Sequence, residues 1–169
     1  VWVTEIGWPT HIQARGVDER VQARYAVRAL ALLQSTGVVE KVHWYDFKND
    51  GLNRAYNEDN FGIVWHQTFN CAPKPAVVSM AVFARATAGA DVGQLWHRGE
   101  LYAAAYSRSD GTDLHVAWSS GMPGTVQVEG AVSSIRDTMG NAQDTSTSVV
   151  LTQDPIYITG QALKIRAQE

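Results

Sequence analysis

A single cysteine, Cys71, among 169 residues leaves no partner for an internal disulfide and no set of thiolates for a zinc site, and it leaves the compartment open. Long apolar runs are also lacking. The most apolar stretch, around Ala26 to Leu33, is too short to cross a bilayer and is broken by Arg28. No charged segment leads into an apolar signal sequence, so the visible chain reads as soluble, compatible with a secreted or periplasmic setting and with no membrane partner. Cations are not in excess: 14 Lys and Arg face 17 Asp and Glu, for a net charge of -3. The basic residues are scattered along the sequence rather than gathered, which excludes nucleic acid as a partner. Five prolines and 14 glycines, with 45% hydrophobic and 18% charged residues, are far from disordered or collagen-like compositions. The five histidines show no paired ligand spacing, and Ser119-Ser120 lacks a G-x-S-x-G elbow. Neither a metal nor a cofactor is expected.

The chain has room for one ordinary domain or two small modules. Val1 to Ile6 begins inside an apolar strand pattern, which reads as a cut end, and the buried parallel strand it predicts closes at Gly7-Trp8-Pro9. Asp18 caps a predicted helix on which Val21, Tyr25, Ala29 and Leu32 recur at helical spacing until Gly37 stops it. Val38 to Phe47 is rich in β-branched and aromatic residues and predicts a second strand, followed by a polar loop from Lys48 to Asn60. Ala76 to Ala88 predicts a second helix. Beyond Leu95 the pattern turns to short alternating strands at 101–106, 114–119, 125–128, 133–137, 148–151 and 155–159, with turn signals such as Asp110-Gly111 and Gly140-Asn141 between them. The expected fold class is α/β plus all-β. Residues 1–90 form part of a strand–helix barrel and residues 91–169 an antiparallel β-sandwich, with the boundary near Gly89 to Gly93.

The chemistry concentrates in Thr4-Glu5-Ile6-Gly7-Trp8-Pro9, where a carboxylate stands at the last turn of a strand. Burying it there costs several kcal/mol unless it is paired or used. Then come His43-Trp44-Tyr45-Asp46-Phe47-Lys48-Asn49-Asp50-Gly51, Asn60-Phe61-Gly62-Ile63-Val64 and Pro73-Lys74-Pro75-Ala76. In that order, the motifs resemble the last two βα units of clan A (β/α)8-barrel glycoside hydrolases, closest to family 39-like members. The tail segments Ile135 to Asn141 and Asp154 to Gly160 look like the closing strands of the β-sandwich such enzymes often carry. The resemblance implies a retaining glycoside hydrolase with Glu5 as nucleophile, Trp44 as the aromatic beside the sugar, a cis peptide after Trp44 and a carbohydrate substrate.

Double displacement needs a second carboxyl group roughly 5 to 5.5 Å from the nucleophile to protonate the leaving oxygen. The family places that Glu after an Asn at the end of a strand. Here the only Asn-Glu pair, Asn57-Glu58, falls in the loop after the second strand, so the acid/base is expected outside this chain. Trp44 either stacks on a sugar or packs in the barrel, and Trp8 has the same two readings. Tyr45 and His43 should point away from whatever Trp44 faces, and both read as packing. An EF-hand reading of Asp46 to Asn57 fails, because Lys48 sits at the third position and Asn57 where a bidentate Glu is needed. Asp50 then belongs to a solvated loop that can rim a sugar site. The competing reading is a non-catalytic carbohydrate-binding or structural module, with Trp96 and Trp118 as further aromatics. Either way, two βα units leave barrel edges open, and self-association into a homo-oligomer would cover them.

Overall fold

Asp18 starts the first helix as the sequence predicts. Its Oδ1 accepts from the Val21 N–H at 2.8 Å, and helix α1 runs Glu19–Ser35 before Gly37, at φ +69, takes the left-handed turn that ends it. The computed structural model describes residues 1–168. The chain packs as two compact units, one of Val1–Leu30 with Val38–Ala81, the other of Ala31–Gly37 with Val82 onward.

In the first unit, β1 (Trp2–Ile6) pairs in parallel with β2 (Lys41–Trp44), and α1 connects them. Ala23, Ala26 and Val27 form the buried stripe of α1, with Ala29 beside them, whereas Leu32 is exposed. Small residues rather than the large ones of the predicted stripe therefore meet the core, and they allow close approach. β2 is shorter than the predicted 38–47. The strand β1 forms as expected but is largely exposed, because a two-stranded sheet covers only one of its faces.

Two motif glycines are explained by close backbone approach. A Cβ on Gly7 would lie 1.7 Å from the Tyr45 carbonyl oxygen, and one on Gly62 2.1 Å from the Asn49 nitrogen. Both neighbours are backbone atoms that cannot rotate aside. Gly7→Ala is expected to destabilise the protein by about 2–3 kcal/mol through this overpacking, read as a lower urea midpoint at unchanged m-value. Unaltered stability would remove the close approach as the reason for that glycine.

Helix α2 (Pro75–Thr87) begins with proline at its first turn, where the missing N–H costs nothing. Its latter part belongs to the second unit, which holds β3 (Asp91–Arg98), β4 (Leu101–Ser107), β5 (Asp113–Ser119), β6 (Gly124–Arg136), β7 (Ala142–Gln143), β8 (Ser148–Leu151) and β9 (Ile156–Ala167). These make one seven-stranded antiparallel sheet in the order β3-β4-β5-β9-β6-β7, with β8 on β6. The predicted strands 125–128 and 133–137 are one long strand, bent where Gly130 at φ +100 shifts the register, and β9 extends well past 159. Val149 and Leu151 of β8 share a core with Ala103 of β4 and Ala117 of β5, far along the hydrogen-bonded path. The sheet therefore doubles back into two layers around Val126, Ile135, Ile158 and Ile165, a sandwich built from one continuous sheet. The other face of β4 is also covered, with Tyr106 edge-on to Phe83 of α2 and donating its hydroxyl to Gln34 at 2.9 Å.

Candidate active site

The side-chain geometry of the two parallel strands follows from their register. Val3 pairs with Val42 and Ile6 with Trp44, with a register shift in between, and Tyr45 N–H donates to the Ile6 carbonyl at 2.8 Å. Register mates in a sheet share a face and neighbours alternate. Ile6 and Trp44 therefore occupy one face, and His43, the neighbour of Trp44 on β2, occupies the other.

Trp44 has ring neighbours on the face that it shares with Ile6. Its ring lies 5.8 Å from that of Trp8, whose own ring stands edge-on to Tyr25 of α1 at 5.2 Å, and the Trp44 indole nitrogen is buried without a partner. Trp44 and Trp8 thus form a packed aromatic ladder against the helix. The predicted cis peptide is one bond further along, between Tyr45 and Asp46, because the parallel ladder includes the Tyr45 N–H before the chain turns. Tyr45, which sequence reasoning assigned to packing, instead meets the acidic loop after β2 through Glu58.

Glu5 is exposed at the carboxyl end of β1, and no described residue gives it a hydrogen bond or ion pair. Tyr45 stacks edge-on against Phe61 at 5.2 Å and donates its hydroxyl to Glu58 Oε2 at 3.3 Å. Asn57 Nδ2 donates to the other Glu58 oxygen at 2.7 Å. Burial first, then the charge and hydrogen bond of Glu58, then the charges of Asp50 and Asp46, push the Tyr45 hydroxyl above its ordinary range. Asp50 is exposed, as a loop residue at the rim should be, and close enough to Tyr45 to act on it electrostatically. The structure thus brings Tyr45 and Glu58 together, and packs Trp44 and Trp8 together beside Tyr25 of α1.

The loops that carry these residues are held from below by two buried polar side chains. Gln22 of α1, fully buried, donates from Nε2 to the carbonyls of Trp8 at 2.9 Å, Phe61 at 3.2 Å and Gly62 at 3.3 Å. Lys74, only 1% exposed, donates to Thr10 Oγ1 and Asn49 Oδ1, both at 2.8 Å, and to the Asn60 carbonyl at 3.3 Å. Three acceptors around one ammonium satisfy all its protons. Burial nevertheless lowers the Lys74 pKa to about 8, with Glu19 opposing and Arg54 adding to the fall. The sequence marks this lysine only by the prolines on either side of it.

A cavity of about 640 Å³ opens beside this anchor, lined by Leu52, Arg54, Trp65 and Phe69 among others. Trp65 carries the Arg54 guanidinium at 5.4 Å and the Lys74 ammonium at 5.1 Å from its ring centre. None of Glu5, Trp8, Trp44 and Asp50 lines it. In the second unit, Trp118 is 2% exposed and stacks on Tyr102 at 5.5 Å, so it is core, and Trp96 is half-buried against that core. Among the described residues no cluster of three His, Cys, Asp or Glu could hold a metal, and no helix is long and apolar enough to cross a membrane.

No family model and no curated protein matches the chain. Solved structures do match in fold. A family 39 glycoside hydrolase from the gut symbiont Bacteroides cellulosilyticus WH2 superposes with a TM-score of 0.79 at 24% identity, over 95% of this chain and 34% of that one. The catalytic domain of GH30 xylanase C from Talaromyces cellulolyticus superposes with a TM-score of 0.58 at 15% identity, over 94% of this chain and 40% of that one. The chain has the α/β plus all-β architecture of part of a glycoside hydrolase, and it spans about a third of the length of the first of these structures.

Proposed function

We propose that this chain is the carboxy-terminal part of a retaining glycoside hydrolase that cleaves O-glycosidic bonds by double displacement, with Glu5 as nucleophile. Residues 1–90 contribute the last two βα units of the barrel, and residues 91–169 an accessory sandwich. The acid/base carboxyl group comes from outside this chain. The observation that carries the reading is the position of Glu5: an exposed carboxylate, unpaired among the described residues, at the carboxyl end of a parallel strand. Function in parallel strand–helix barrels gathers at that end of the strands. Tyr45 replaces Trp44 as the aromatic that meets the sugar, and Asp50 stays at the rim with Glu58.

The stereochemistry of the reaction tests this. In the protein that joins Glu5 to its acid/base, proton NMR of the first-formed product should show the anomeric configuration of the substrate retained. An inverted first product would end the double-displacement reading.

The exposure of Glu5 outside any described cavity favours a second reading, a non-catalytic carbohydrate-binding or structural module. Trp2, 56% exposed with the Lys41 ammonium 4.2 Å from its ring centre, lies on that same open sheet, which has no third strand. In that case the chain self-associates through β1 or β2. Sedimentation would then show a dimer that Trp2→Glu converts to monomer.

A further inference from the structure

The second unit contains a cationic cleft that sequence spacing conceals. Arg85 on α2, Arg108 after β4 and Arg136 at the end of β6 line one cavity of about 550 Å³, and no carboxylate lines it with them. The chain as a whole is net negative, so this is a local inversion of charge. Arg108 donates to the Ala86 carbonyl in the last turn of α2, and Arg136 donates to the Gly140 carbonyl at 2.9 Å. Arg85 has no hydrogen bond or ion pair from a described residue.

The nearby acids lie outside the lining, although the charge of Asp137 reaches Tyr157. Asp137 Oδ1 accepts from the backbone of Met139 and Asn141, and its Oδ2 accepts from the Asn141 amide. Asp110 Oδ1 accepts from Thr112 N–H and feels only Arg108 among the three arginines. The carboxyl end of α2 carries about half a unit of negative charge, which both Arg108 and Arg85 of the last turn face. Arg85 therefore faces the cleft with its donors free, and Arg136 with the donors that the Gly140 carbonyl does not take.

A second observation points the same way. Tyr157 also lines the cleft, is 2% exposed, and its hydroxyl has no hydrogen-bond partner. A buried hydroxyl left unpaired costs about 1–3 kcal/mol. Tyr157 pairs in register with Arg136 across β9 and β6, so both side chains rise from the same face of the sheet. An acceptor oxygen brought in beside Arg136 would meet that hydroxyl.

We infer that this cleft binds an oxyanion, with Arg85 and Arg136 clamping its oxygens and Tyr157 donating to one of them. The planar guanidinium fork suits a carboxylate, sulfate or phosphate alike. The cavity exceeds the size of a bare oxyanion, and Val82, Leu114 and Met139 provide apolar wall for an organic body. The shared chemistry has two sources: a free inorganic anion, or the acidic group of a saccharide. The inference does not depend on Glu5 or on glycoside cleavage.

Calorimetric titration with inorganic sulfate, glucuronate and glucose, at fixed ionic strength in chloride, tests it. The expected result is saturable binding of sulfate and tighter binding of glucuronate, with no heat from glucose. Arg85→Gln, Arg136→Gln and Tyr157→Phe should each weaken binding by about fivefold or more, while Arg98→Gln on exposed β3 leaves it unchanged. Sulfate bound more tightly than glucuronate, with the same loss in the variants, supports the oxyanion site and assigns it to a free anion. Absence of saturable binding by both anions, or wild-type affinity in all three cleft variants, overturns the inference. Arg85 is exposed and unpaired, so its variant folds and keeps the test decisive.

Discussion

Glu5→Gln is expected to slow release of dinitrophenolate from a 2,4-dinitrophenyl glycoside by about 10³-fold or more while leaving the melting temperature unchanged. The large loss follows because an amide cannot form the glycosyl-enzyme bond that splits the reaction into two easier steps. The unchanged stability follows because Glu5 is exposed and unpaired, and substitutions at such positions stay within about 0.5 kcal/mol. Dinitrophenolate is a good leaving group that departs without protonation. The assay therefore isolates the nucleophile from the acid/base, and it is run, with absorbance and a thermal melt, on the protein that joins Glu5 to the rest of the barrel. Equal rates in wild type and variant would remove Glu5 from the chemistry. Tyr45→Phe, by contrast, keeps the ring and loses only the hydrogen bond to Glu58.

Lys74→Met is expected to cost about 2–4 kcal/mol. The methionine keeps the length of the aliphatic stem and removes the ammonium, which leaves the buried Asn49 Oδ1 and Thr10 Oγ1 without their donor. Relief of the burial penalty offsets only part of that loss, because all three protons of the ammonium are hydrogen-bonded. The same lysine gives the stability a pH dependence of definite sign. Its folded pKa, about 8, lies below the ordinary 10.5, so between those values the unfolded chain holds a proton that the folded protein has shed. Stability from this group is at its lowest below pH 8, rises through the window and is level above 10.5. Urea unfolding of wild type and Lys74→Met at pH 7 and pH 10 measures it as a difference, which cancels the tyrosines whose pKa values are raised. The wild type should gain on the variant as the pH rises. A constant difference would mean that Lys74 is not desolvated in the folded state.

The elements that announce themselves locally were readable from the sequence. Asp18 and Gly37 bracket α1, and the Asp110-Gly111 turn separates β4 from β5 as expected. β3 escaped notice because its register shifts between Val92 and Leu95, around Gly93, which breaks the alternation a strand shows in sequence. The same physics hid the orientation of Trp44. The shift between Val3 and Ile6 destroys the parity count along β1, so which residue of β2 shares a face with Glu5 cannot be found by counting. The motif glycines were legible as landmarks, but their reason, backbone contact between distant loops, is tertiary. Tertiary too are the three acceptors around Lys74 and the three arginines of the second unit, which looked scattered because they come from different elements.

Covalent trapping reaches the central claim most directly. A 2,4-dinitrophenyl 2-deoxy-2-fluoroglycoside forms its glycosyl-enzyme bond without acid assistance, and its fluorine slows the hydrolysis that would release it. Intact mass after incubation should rise by one fluoroglycosyl group, and peptide fragmentation should carry that mass on Glu5 and on no other carboxylate. A label on Glu58 or Asp50, or no label under conditions that trap a known retaining glycosidase, would contradict the account.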